Sequence, residues 1–123
     1  MDLTANTDLT RIKAHLLDTM NGYMQSFEND GDEAPYSAAD IQRCATTLDA
    51  FVADVGSAAG NAELIMAAVQ DTVLSLNDLS EKSEGLIETD QREDLCEFIE
   101  LAARAGGLNI DVGEDITEEW REW

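Results

Sequence analysis

Residues 8–28 read DLTRIKAHLLDTMNGYMQSFE. Leu9, Ile12, Leu16, Met20, Tyr23 and Phe27 recur at steps of three and four, with Leu17 and Met24 on the shoulder. A helix turns about 100° per residue, so these steps gather the apolar side chains on one side. The spacing predicts an amphipathic helix over 8–28, with Thr7 or Asp8 capping its first amides. Glu28-Asn29-Asp30-Gly31-Asp32-Glu33-Ala34-Pro35 ends it, because Gly, Asn and Pro continue a helix poorly and like charges crowd there.

The same rhythm returns three times. Ser37-Ala38-Ala39-Asp40 has the form of a capping box, and Ile41, Cys44, Leu48, Phe51, Val52 and Val55 follow it, predicting a helix over 38–55. Gly56-Ser57-Ala58-Ala59-Gly60 is a break. Asn61 then caps a third helix over 62–82, with Ile65, Ala68, Val69, Thr72, Val73, Leu76 and Leu79 on its stripe. Glu84-Gly85 stops that helix, and Thr89 caps a fourth with Leu95, Phe98, Ile99 and Ala102 buried, ending at Gly106-Gly107. Beyond it Leu108, Ile110 and Val112 alternate with Asn109 and Asp111, which predicts an extended strap lying on the helices. Ile116, Trp120 and Trp123 fall at i, i+4 and i+7, which predicts a small C-terminal helix with Asp115 as its cap. The fold class is therefore all-α: an irregular four-helix bundle with a short strap and a small terminal helix, forming one acidic domain over residues 1–123.

The chain carries 27 acidic and 7 basic residues, a formal net charge of -20, spread over both its halves. A field of that sign repels phosphate backbones and anionic lipid and speeds encounter with cationic surfaces. A basic protein is the expected partner, with neither direct nucleic-acid nor membrane binding; oligomeric state is left open. No run of 18 apolar residues occurs, and Met1-Asp2-Leu3-Thr4 has neither a basic nor an apolar leader character, so the expectation is a cytoplasmic protein. Cys44 and Cys96 read as two reduced thiols.

Candidate chemistry is sparse. His15, the one histidine, lies on the polar side of the first helix, and no Ser or Cys stands in a nucleophile context, so no catalytic residue is assigned. One His and two distant Cys do not make a zinc site. An EF-hand register with Gly31 sixth puts Ser26 first and Ser37 twelfth, losing both end ligands. There is no phosphate-binding glycine motif, and Asp78-Leu79-Ser80 does not have the order that carries an acyl carrier's arm. Neither metal nor cofactor is expected. The candidate partner-binding residues are Glu28, Asp30, Asp32 and Glu33 of the acidic loop, together with Trp120 and Trp123. The two indoles have a second reading, as a pin holding the C-terminus on its own core.

Leu86-Ile87-Glu88-Thr89-Asp90-Gln91-Arg92-Glu93 and Asp115-Ile116-Thr117-Glu118-Glu119-Trp120-Arg121-Glu122-Trp123 together resemble a family of small acidic bacterial proteins of unknown function. The resemblance covers about the last 40 residues and implies a bacterial cytoplasmic protein without implying an activity. Charge and size favour a non-enzymatic module of the immunity or chaperone type, docking on a basic partner. The alternatives are a nucleic-acid mimic that occupies a DNA-binding protein, for which Glu84, Glu88 and Asp90 to Glu100 supply part of a carboxylate row, and a carboxylate-based enzyme.

Overall fold

Each helix begins where the chain offers an oxygen to its first free amides. The computed structural model describes Leu3 and residues 5–123, so the reading of Met1, Asp2 and Thr4 lies outside the described residues. α1 spans Thr7–Asn29, α2 Ala38–Ser57, α3 Ala62–Lys82 and α4 Thr89–Ala105. Among the described residues there is no strand. Ser37 and Asp40 close the capping box of α2, the Ser37 amide donating to Asp40 Oδ2 at 2.9 Å. Asn61 Oδ1 accepts from the Leu64 amide at 3.2 Å and caps α3.

Two caps differ from the sequence reading. Asn6 caps α1 in place of Thr7 or Asp8, its Oδ1 accepting from the Leu9 amide at 3.1 Å. α4 starts one residue early: Glu88 is the cap residue, Thr89 is already helical, and Gln91 Oε1 accepts from the Glu88 amide at 3.1 Å.

The apolar stripes close one core, with Leu16, Met20, Leu48, Phe51, Ile65, Leu76, Leu95 and Phe98 at its centre. α2 packs most extensively on α3 and α1 on α4, the two pairs meet along α1 and α2, and α3 touches α4 only lightly. Residues 117–122 bridge that open α3–α4 seam. Asn77 of α3 donates through Nδ2 to the Trp120 carbonyl at 2.7 Å and accepts from the Glu122 amide at 2.9 Å. From α4, Cys96 Sγ meets Thr117 Oγ1 at 3.8 Å and Arg121 at 3.6 Å.

The terminal helix is corrected to a series of turns. Asp115 Oδ1 accepts from both the Thr117 amide, at 2.9 Å, and the Thr117 hydroxyl, at 2.6 Å. These bonds close a local turn on the side chain in place of the helical ladder. The strap follows the inward pattern at Leu108 and Ile110, but Val112 is fully exposed, because Asp111 and Glu114 close a turn around it.

Gly106 sets how closely the end of α4 approaches α2. An added Cβ there would lie 2.3 Å from Val55 Cγ1, while φ of -76° suits any residue, so the constraint is steric alone. Gly106→Ala is expected to lower stability by about 1–3 kcal/mol through overpacking. An unchanged melting temperature would show that the crossing yields at no cost.

Candidate functional site

α1 outruns its partner. Gln91, in the first turn of α4, donates to Thr19 Oγ1 at 3.1 Å, so the last turns of α1 extend past the start of α4 with no helix on that side. Tyr23 and Phe27 sit on this overhang. Both continue the apolar stripe in sequence, yet Tyr23 is 45% exposed and Phe27 half-buried. Their rings meet edge to face at 5.1 Å, and Tyr36 stacks on Tyr23 at 6.3 Å. Tyr36 itself is buried and its hydroxyl donates to the Met20 carbonyl at 2.7 Å, tying the loop back onto α1. Burial pushes the phenol up to about 12, with the neighbouring Tyr23 and Glu88 adding to it.

The acidic loop leaves this aromatic patch through an ordered helix end. The Asp32 amide donates to the Phe27 carbonyl at 2.8 Å and the Gly31 amide to the Glu28 carbonyl at 3.1 Å, with Gly31 at φ +80°. This is the Schellman pattern, which a left-handed residue must close and glycine closes without steric penalty. It leaves Glu28, Asp30, Asp32 and Glu33 all exposed.

Beside them lies a shallow cleft of about 430 Å³, in which Met24, Ala34 and Tyr36 contribute apolar lining and Glu28, Glu33 and Asp40 contribute carboxylates. The Asp40 carboxyl is held below its ordinary range, chiefly by the Ser37 backbone amide, with the Ser83 and Ser37 side chains and Arg43 assisting against burial. Asp30 and Asp32 stand outside the cleft. The corner thus joins an aromatic patch to an acidic rim, a combination suited to a cationic side chain with an aliphatic stem.

Trp120 and Trp123 lie elsewhere, half-buried against the core along the α3–α4 seam. Arg121 pairs with Asp115 at 3.1 Å and covers the Trp123 ring at 5.4 Å, while the Trp123 indole N–H is buried without a partner. The structure therefore separates the two groups of candidate residues onto different seams. Sequence reasoning missed Tyr36 and Asn77. The Tyr23-x-x-x-Phe27 pair ending in an acidic loop was the available signal for the patch.

Other groups are engaged. His15 Nδ1 lies 2.6 Å from Asp94 Oδ2 on the exposed face between α1 and α4, and Arg104 holds Glu100, which interrupts the carboxylate row of α4. Cys44 is buried and its thiol is pushed up to about 12 by burial, and burial also raises that of Cys96. Among the described residues no three His, Cys, Asp or Glu side chains gather as a metal ligand set, and no helix is long and apolar enough to cross a membrane. No family model, curated protein or solved structure matches the chain.

Proposed function

We propose that this protein is a non-enzymatic binding module of the cytoplasm, of the immunity or chaperone type, which docks the end of its bundle on a basic protein. The observation that supports this is the Tyr23–Phe27–Tyr36 patch set beside Glu28, Glu33 and Asp40. Charge alone steers encounter and favours partners of opposite sign, whereas affinity needs a desolvated anchor, and aromatic rings fill that role at interface centres. The patch stands inside the acidic field, so steering and anchoring act at one place.

Chemical-shift mapping with a short Lys- and Arg-rich peptide containing one leucine tests the reading. The largest shifts are expected at Tyr23, Phe27, Glu28, Glu33 and Tyr36, and Tyr23→Ala is expected to weaken binding about tenfold at constant net charge. Shifts spread evenly over all the acidic surface, or centred on Trp120 and Trp123, would reject the corner as the docking site.

A further inference from the structure

The face formed by α2 and α3 is unlike the rest of the molecule. A groove of about 740 Å³ runs between the two helices at one end, and two shallower clefts that share lining residues continue it to the other. The charged residues along this whole length are Arg43, Lys82 and Asp78 at one end and Asp54 and Asp71 towards the other. Two cations against three lining carboxylates, with Asp40 beside Arg43 as a fourth, leave two excess negative charges, in a protein whose net charge is -20. Repulsion between two such molecules is weak across a face that holds so small a share of that charge.

Its charges are also ordered. Arg43 and Asp54 are eleven residues apart on α2, three helical turns or about 16 Å, and so fall on nearly the same side of the helix. Ala39, Thr46, Ala50 and Ser57 share that side and are small enough for a second helix to approach closely.

We propose that the occupant of this face is a second copy of the chain, related by a two-fold axis crossing α2 near Thr47 and Ala50. Antiparallel packing of the two α2 helices then sets Arg43 of each copy over Asp54 of the other. That gives two reciprocal ion pairs from one symmetric contact. The present partners do not forbid this. Arg43 pairs with Asp40 through an exposed guanidinium, and Asp40 keeps the Ser37 amide as a partner when Arg43 turns away, while Lys82 and Asp78 are both exposed. Leu64, 54% exposed at the Asp54 end of the groove, is covered in the same assembly.

Sedimentation across a concentration series tests this with three variants. The wild-type chain is expected to move from monomer to dimer as concentration rises. Arg43→Glu is expected to weaken the dimer roughly tenfold by setting carboxylates against Asp54. Asp54→Arg is the decisive arm, because it lowers the net negative charge and yet is expected to weaken association as well, by setting guanidinium against guanidinium. The double variant Arg43→Glu with Asp54→Arg keeps the wild-type net charge and is expected to restore the wild-type dimer. A chain that stays monomeric throughout, an Asp54→Arg dimer tighter than wild type, or a double variant that fails to recover would each overturn the proposal. Both positions are exposed, so unchanged helical spectra are expected for all three variants, and melting temperatures compared at a concentration where the wild type is monomeric are expected to differ only slightly, through the lost Arg43–Asp40 pair.

Discussion

Raising the pH from 9 to 12 is expected to remove about 4 kcal/mol of folding stability through one side chain, Cys44. Burial between α1 and α2 pushes its thiol from 9.0 up to about 12, outweighing the opposing attraction of Lys13. In the unfolded chain the thiol ionises near its ordinary value; in the folded protein it keeps its proton until about 12. Across that interval the folded state binds more protons than the unfolded one, so stability falls as pH rises. The contribution is complete below pH 9 and gone above about 12. Tyr36 acts in the same direction, its phenol rising from 10.0 to about 12. Against a total of about 5–15 kcal/mol for a domain, the loss is large enough to unfold the protein in alkali. Urea titrations at a series of pH values check it. Cys44→Val, which keeps an apolar side chain and removes the titrating group, is expected to remove that share of the decline and leave the part due to Tyr36 and Cys96. A slope unchanged in that variant would show that the thiol is not its source.

The helices were legible because their signals are local. Ser37 with Asp40, Asn61, and the Gly106-Gly107 stop each act within one turn of the boundary they mark, and α2, α3 and α4 begin or end within two residues of those marks. The terminal segment was misread for the opposite reason. Ile116, Trp120 and Trp123 have helical spacing, but Asn77, more than 40 residues away, takes the backbone groups of Trp120 and Glu122. No local pattern reports a partner that distant. The aromatic and acidic corner was legible in part. Composition points to Glu28 and Glu33, whereas the exposure of Tyr23 follows from where α4 begins, a tertiary fact that reverses the meaning of its place on the stripe. The weakly charged α2–α3 face was invisible for the same reason: its charges are ordinary in sequence and become sparse only when the two helices share one surface.

Removing residues 115–123 is expected to cost on the order of 5 kcal/mol, a large part of the stability of a domain this size. α3 and α4 pack lightly on each other, so the seam between them depends on this segment for its cover. Ile116 and Thr117 are buried there and both indoles are half-buried against the core. The segment is too short and irregular to order itself, so its conformation comes from what holds it. Asn77→Ala removes both polar anchors from α3 and is expected to cost about 1–3 kcal/mol. Trp120→Ala is expected to cost about 2 kcal/mol, below the range for a fully buried ring. Trp123 differs, because its indole N–H is buried without a partner: Trp123→Phe removes that penalty together with some apolar area and is expected to leave stability nearly unchanged. Melting temperatures rank the variants, and quenching of tryptophan emission by acrylamide, which is uncharged and so indifferent to the net charge of -20, reports the cover directly. Resistance to acrylamide in the intact chain, lost in Asn77→Ala, is the expected pattern. A truncated chain that melts at the wild-type temperature, with indoles in the intact chain quenched like free tryptophan, would instead mean that the α3–α4 seam closes unaided and that the two rings face outward to a partner.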